Sequence, residues 1–223
     1  MAPNSRPSAA AVTPPTVAPD SHTWQDTLAW AVSYALNPLI LMSLVFFLPW
    51  SLARDGPSLV FAGIHLGALA ALFSAYWAIL RIQGKELDLE LNRRADRVLP
   101  LGMTIAGVAV VGLVMWRWKG LGSHVYTDVA AAACFAVFWA ITIRWKVSLH
   151  SLAVSLVLSA LYFLLDVGPA YLPLLLLLPL VVWARLHLRF HDLGQTLVGI
   201  LIGVSMVFLF MWLMSANPLN LTV

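Results

Sequence analysis

Seven apolar runs separated by short polar breaks dominate the chain and restrict what it can fold into. The runs cover residues 36–52, 58–80, 98–116, 127–143, 151–165, 170–183 and 195–214. About 20 apolar residues in a helix cross a hydrocarbon core of roughly 30 Å. A helix also satisfies its own backbone hydrogen bonds, which lipid cannot do. The pattern therefore predicts an all-α fold, a polytopic membrane helical bundle of about six to seven transmembrane helices.

The overall composition supports the membrane class. The chain is 61% hydrophobic and only 10% charged, whereas soluble domains carry about 25% charged residues. Its one cysteine, Cys134, excludes an intrachain disulfide. Residues 1–23 form a Pro/Ala-rich segment that we expect to be disordered, residues 24–215 form the membrane domain, and residues 216–223 form a short tail. We expect a multi-pass integral protein of a bacterial cell membrane, with no nucleic-acid partner.

Three polar breaks, at residues 81–97, 144–150 and 184–195, hold most of the ionisable side chains outside the tail. Two predicted spans separate each break from the next, and a pair of spans returns the chain to the side it left. We therefore expect all three breaks on one face of the membrane. Together they contain more cations than anions, and guanidinium groups bind phosphate well. Basic loops also mark the cytoplasmic side of membrane proteins without any ligand, so charge alone leaves both interpretations open.

The third break contains a spaced set of polar residues ahead of an apolar helix. Arg185 is followed after five residues by His191, and after three more by Gln195. This spacing resembles the third motif of the type 2 phosphatidate phosphatase superfamily of membrane lipid phosphatases. In that motif a serine precedes the arginine and an aspartate ends the pattern. Here Ala184 and Gln195 stand at those two positions.

The other two breaks carry weaker versions of the first and second motifs of the same family. The family's Pro-Ser-Gly-His motif resembles the segment that contains Ser148 and His150. Its Lys-and-Arg-Pro motif resembles the basic stretch that contains Lys85, Arg94 and Arg97, in which no single register fits the family spacing. The resemblance covers residues 80–210. The three segments occur in the order of the family's motifs, and this order makes the combined resemblance more specific than that of any single segment.

The resemblance implies metal-independent hydrolysis of a phosphomonoester or pyrophosphate through a phosphohistidine, without a cofactor. His191 would be the nucleophile, His150 the general acid and then the general base, and Gln195 the residue that orients His191. The substrate would be a membrane lipid phosphate whose tail stays in the bilayer. The phosphate-binding residues would be Arg185, Ser148, Lys85, Arg94 and Arg97.

Gln195 is the position at which the chemistry differs from the family pattern. Its amide offers a carbonyl oxygen but no negative charge, and a similar Asp-to-amide change in the serine protease triad lowers kcat about 10⁴-fold. We therefore expect either lower activity or a different orienting residue. Asp192 is adjacent in sequence, but on a helix it would point about 100° away from His191.

Two other functions remain open from the sequence. One is a catalytically weakened relative that binds anionic lipid headgroups, and the other is a small membrane transporter. Against a transporter, no predicted span has the mid-helix charges expected of a permeation path, and internal repeats are not evident. The remaining histidines fit no metal-ligand pattern. We interpret His65 and His124 as structural, and His187 and Arg189 as surface or headgroup contacts.

Overall fold

The computed structural model describes residues 23–47, 54, 56–84, 94–119, 123–164 and 168–216, and these residues contain helices but no strand. Lys85 and most of the two predicted tails lie outside these ranges. Short 3₁₀ turns occur at Leu44–Phe47 and Gly168–Ala170. The α-helices are α1 (Trp24–Ala35), α2 (Pro38–Ser43), α3 (Gly56–Ile82), α4 (Arg94–Lys119), α5 (Ser123–Thr142), α6 (Leu149–Phe163), α7 (Tyr171–Leu174), α8 (Leu177–His187) and α9 (Leu193–Ser215).

Four of these helices, α3, α4, α5 and α9, are long and apolar enough to cross a membrane. The α6 helix and the α7–α8 segment are shorter apolar helices. The predicted all-α class is confirmed, and the four long helices are compatible with an integral membrane protein. The apolar run at 36–52 does not form one continuous helix in its described part, because α2 ends at Ser43 and a 3₁₀ turn follows.

Two glycines of α9 allow it to pack unusually close to α6. A Cβ atom at Gly199 would overlap the carbonyl oxygen of Ser148, and one at Gly203 would overlap the hydroxyl of Ser155. That hydroxyl also donates to the carbonyl oxygen of Ile200 on α9, at 3.2 Å. Small residues are typical of helix contacts in membranes because they let two backbones approach. The close approach brings the N-terminal ends of α6 and α9 together.

The α1 helix is attached to the end of α8. Thr23 caps α1 in a reciprocal capping box with Asp26, and Asp26 Oδ1 lies 2.8 Å from His187 Nε2. The hydrogen bonds from Thr23, followed by that from His187, lower the pKa of the Asp26 carboxyl to about 2. Val32 of α1 packs beside buried Ala184 of α8. His187 thus holds α1 in place through a contact that is partly exposed at the surface.

A buried polar pair lies between α3 and α5. His65 Nε2 is 2.8 Å from Asp128 Oδ1, and both side chains are almost fully buried. His65 Nδ1 donates to the carbonyl oxygen of Phe61 at 3.1 Å, and Phe46 stacks on the ring. Asp128 is the sixth residue of α5, so this apolar helix carries a buried acidic group near its start. The pair joins α3 to α5, so the structural interpretation of His65 agrees with its contacts.

Candidate functional site

The chain reverses direction between α8 and α9, at residues 188–192, and this reversal loop places His191 beside Arg185. The Phe190 N–H donates to the Arg185 carbonyl at 3.1 Å, and the Arg189 N–H donates to the Leu186 carbonyl at 3.0 Å. These two bonds are those of a Schellman motif. Its left-handed position, usually glycine, is occupied by Arg189 with φ of 54°. The His191 N–H then approaches the Arg185 carbonyl at 3.4 Å, so the five intervening residues complete one helical turn and the reversal.

The Arg185 side chain is fully buried under α1 and the reversal loop. Its Nη1 donates to Ser33 Oγ at 3.3 Å. Its guanidinium carbon lies 4.4 Å from the centre of the Phe190 ring, a cation–π distance. Trp30 of α1 packs edge-on against the same ring at 5.5 Å. Residues of α1 and of the reversal loop thus hold one orientation of this cation.

His191 is 7% exposed and belongs to a chain of hydrogen bonds at the start of α9. Its Nδ1 lies 2.8 Å from Gln195 Oε1. Gln195 Nε2 donates to Asp192 Oδ2 at 2.8 Å, and the Gln195 backbone N–H donates to Asp192 Oδ1 at 2.8 Å. Asp192 is the extended N-cap residue, with φ −92° and ψ 172°, rather than part of the helix, so the helical projection used to orient it relative to His191 does not apply.

The bond to Gln195 determines which nitrogen of His191 carries the hydrogen. An amide oxygen can only accept, so Nδ1 must be the protonated nitrogen and Nε2 keeps its lone pair. His191 Nε2 is buried and makes no hydrogen bond to the described residues. Buried polar atoms in proteins are nearly always hydrogen-bonded, so this atom calls for an explanation.

Nearby cations and burial keep His191 neutral. Burial of the ring, and then the charges of Arg97, Lys146 and Arg185, lower the pKa of His191 to about 3, although the bond to Gln195 raises it. At neutral pH the imidazole is therefore uncharged. The space around Nε2 is positive, which favours an anion there.

The segment before α6 is bonded to both α4 and α9. Arg97, at the start of α4, is 3% exposed and its Nη1 donates to the carbonyl oxygen of Val147 at 2.9 Å. The Ser148 N–H donates to the carbonyl oxygen of Gln195 at 3.1 Å. Lys146 Nζ donates to the carbonyl oxygen of Phe190 at 2.9 Å. These bonds bring parts of the three polar breaks into one cluster.

Ser148 and His150 occupy the first turn of α6 and its cap. The Ser148 hydroxyl caps the helix by accepting from the Ser151 N–H at 3.3 Å, and it also accepts from the Ser151 hydroxyl at 3.1 Å. Its own hydrogen is not used in these two bonds. His150 Nε2 lies 3.2 Å from the Ser33 carbonyl oxygen. Because a carbonyl only accepts, Nε2 carries the hydrogen, and Nδ1 is the nitrogen that can take up another proton.

Most of the residues that the sequence singled out meet in this cluster, and three contributors were missed. Lys85 lies outside the described residues, and Arg94 is the first residue of α4. The missed contributors are Ser33, Lys146 and Asp192. Lys146 could have been found by its place in the second polar break. The predicted residues that meet are Arg97, Ser148, His150, Arg185, His191 and Gln195.

An apolar cavity of about 520 Å³ adjoins the cluster. It lies among α2, α3, α4, α5 and the start of α6, and its lining includes Met42, Trp77 and Phe135. Leu149, between Ser148 and His150 in the sequence, forms part of the wall, as does Leu101, one turn beyond Arg97 on α4. Its volume is within the range of roughly 300–1,000 Å³ that ligand pockets occupy.

No protein-family model matches the chain, and neither a curated protein nor a solved structure matches it. The resemblance to membrane lipid phosphatases therefore stays a proposal that depends on the motif residues and their geometry.

Proposed function

We propose that this protein is an integral membrane phosphatase, similar to the type 2 phosphatidate phosphatases, that hydrolyses a lipid phosphate or pyrophosphate through a phosphohistidine. The observation that carries the proposal is the state of His191. Its Nε2 has a lone pair, is buried and has no hydrogen-bond partner among the described residues. It also lies within the electrostatic influence of Arg97, Lys146 and Arg185. A neutral imidazole among fixed cations suits attack on an anionic phosphoryl group.

In the first step, the lone pair of His191 Nε2 forms a bond to phosphorus, and the bond from phosphorus to the lipid oxygen breaks. The electron pair of that bond leaves with the lipid oxygen. Arg97, Lys146 and Arg185 stabilise the negative charge on the other phosphoryl oxygens, which is the main protein contribution to phosphoryl transfer. The Ser148 hydroxyl, whose hydrogen is not used in the bonds with Ser151, is a further donor to these oxygens.

His150 supplies and recovers the proton. Burial, and then the positive charges of Arg185 and Arg97, disfavour the protonated form of His150. The bound phosphate supplies a negative charge that favours this form, so that Nδ1 takes up a proton from solvent while Nε2 stays bonded to Ser33. Nδ1 gives this proton to the departing lipid oxygen. It then takes one from the water that attacks phosphorus, the N–P bond breaks, and inorganic phosphate is released. His191 returns to its starting form.

The surroundings of the cluster favour a lipid substrate. The apolar cavity beside it can receive part of a hydrocarbon chain. We infer six to seven membrane crossings: α6 and the α7–α8 segment bring the four long helices to six, and the apolar run at 36–52 would be the seventh. The 15 residues of α6 span about 22 Å, which is short of the hydrocarbon core, so its polar first turn would lie near one surface. The bilayer, as in a bacterial cell membrane, would hold the rest of the lipid tail.

The test is phosphate release from a panel of lipid phosphates by the full chain in detergent, with a chelator and no added metal. His191→Ala and His150→Ala should each abolish release. His124→Asn is the matched control, because His124 lies at the other end of the bundle, on α5. Samples denatured in detergent at alkaline pH, where the N–P bond is stable, should contain a phosphohistidine at His191 in the wild type.

The outcomes separate the alternatives. Equal release by the wild type and by both alanine variants would show that the histidines do not catalyse the reaction. Saturable binding of lipid phosphates without release would instead support a weakened relative that binds anionic headgroups.

A further inference from the structure

The geometry assigns Asp192 as a positioning residue for His191 that acts through the amide of Gln195. The hydrogen bonds themselves do not depend on the proposed function, whereas their catalytic consequence rests on it. The carboxylate that the lipid phosphatase motif would place at position 195 is absent here. A different carboxylate, three residues nearer the N-terminus, takes part in orienting the histidine through one intervening side chain.

The two ends of the Gln195 amide face different partners. An amide can present either its oxygen or its NH₂ group to a neighbour, and the choice follows from the surrounding donors and acceptors. Asp192 Oδ2 lies 2.8 Å from Gln195 Nε2. An ionised carboxylate only accepts, so this contact requires the NH₂ group. The amide oxygen is thereby directed to His191, at 2.8 Å from Nδ1.

The orientation of the Gln195 amide determines the tautomer of His191. With the amide oxygen facing Nδ1, the hydrogen must be on Nδ1 and the lone pair on Nε2. If the amide were turned over, its NH₂ group would donate to Nδ1, the hydrogen would move to Nε2, and Nε2 could not attack. The charge of Asp192 therefore selects the nitrogen that is nucleophilic.

The contacts with Asp192 and His191 together require an amide, rather than a carboxylate, at position 195. The carboxylate of Asp192 is held in place by a second bond, from the Gln195 backbone N–H at 2.8 Å. A carboxylate at 195 would bring two acceptors together and could not donate to Asp192. Glutamine has both a donor for Asp192 and an acceptor for His191, so it can connect them.

A purely structural role for Asp192 is helix capping, and the two roles can be separated. Asparagine and aspartate are about equally good N-cap residues. In Asp192→Asn, the side-chain oxygen can still accept from the Gln195 N–H. Its NH₂ group would then face the Gln195 amide and favour the amide oxygen there, which turns the Gln195 NH₂ group toward His191. The variant should keep its fold and change the tautomer.

The experiment measures the ¹⁵N chemical shifts of the His191 ring at pH 7 in the full-length protein, in nanodiscs. The His191→Gln spectrum identifies the signals among those of the six histidines. The wild type should show hydrogen on Nδ1, and Asp192→Asn should show hydrogen mainly on Nε2, with an unchanged Tm. Phosphohistidine formation should fall by up to about 10⁴-fold, the loss reported for a wrong tautomer in the serine protease triad.

An unchanged tautomer in Asp192→Asn would overturn the assignment, whatever the activity. If that variant does not fold, Asp192→Ser keeps a good cap and removes the carboxylate. The Gln195 amide then has no carboxylate that holds its NH₂ group away from His191, so the fraction of His191 with hydrogen on Nε2 should rise above the wild-type value. The spectra require no substrate, so the two proposals can fail separately. A switched tautomer in a protein without phosphatase activity would refute only the proposed function, and an unchanged tautomer in an active enzyme would refute only the role of Asp192.

Discussion

Replacing Gly199 with alanine should force α6 and α9 apart. The added Cβ would overlap the carbonyl oxygen of Ser148 and lie 3.3 Å from the backbone nitrogen of Leu152. These are backbone atoms, which cannot turn aside as the end of a side chain can, so the helix itself must shift. Overpacking of this kind costs about 1–3 kcal/mol. Gly63→Ala in α3 is the matched control, because no atom lies within 4 Å of its new Cβ.

Both variants gain the same helix propensity, about 0.5–1 kcal/mol, when glycine becomes alanine. The difference between them is therefore the overpacking alone, which corresponds to roughly 2–12 °C in Tm for a chain of this size. Cys134 is the only cysteine and is buried, so a thiol-reactive dye reports unfolding. Gly199→Ala should melt below Gly63→Ala by this margin.

The same substitution should also lower activity. The Ser148 N–H to Gln195 carbonyl bond, 3.1 Å long, joins the two helices at the site. A misplacement of about 1 Å in a catalytic group can cost on the order of 10²-fold in rate. We expect phosphohistidine formation to fall in Gly199→Ala and to stay at the wild-type level in Gly63→Ala. Equal melting temperatures for the two variants would refute the close approach of the helices.

Three further predictions concern the site. Ser33→Ala removes the hydroxyl that accepts from Arg185 but keeps the carbonyl that accepts from His150, so the dye assay should show destabilisation of about 1–2 kcal/mol. Arg189→Gly should raise Tm by roughly 2–4 °C, because it relieves about 1 kcal/mol of left-handed backbone strain. An unchanged Tm would mean that the arginine side chain stabilises the fold by as much free energy as the strain costs. The pKa of His191 falls from 6.5 to about 3 on folding, so the unfolded chain binds a proton that the folded chain does not. The stability from neutral His191 is present above pH 6.5 and is lost as the pH falls toward 3, and His191→Gln should flatten that part of a plot of Tm against pH.

Local patterns made part of the fold and site predictable. Apolar runs of helix length predicted α3, α4, α5 and α9, because length and hydropathy are properties of each segment alone. The run at 36–52 was less predictable, since the helix that starts after Asn37 ends within six residues. The spacing from Arg185 to His191 was informative because the reversal that joins them is made from contiguous residues. Gln195 follows His191 by four residues, and the i, i+4 spacing predicted their contact even though His191 itself precedes α9.

The sequence alone therefore determined the helical class, the apolar character of the long helices, and the spacing of the arginine, histidine and glutamine around the end of α8. Only the tertiary structure decided which other groups reach them. Ser33 contacts His150 and Arg185 because α1 packs across α8, more than a hundred residues away in the chain. Asp192 reaches Gln195 because an N-cap residue has an extended backbone that turns its side chain onto the first helical turn, which a helical projection cannot represent. Contacts of this kind depend on packing between distant segments and on the backbone angles at one helix end, and neither is encoded in residue periodicity.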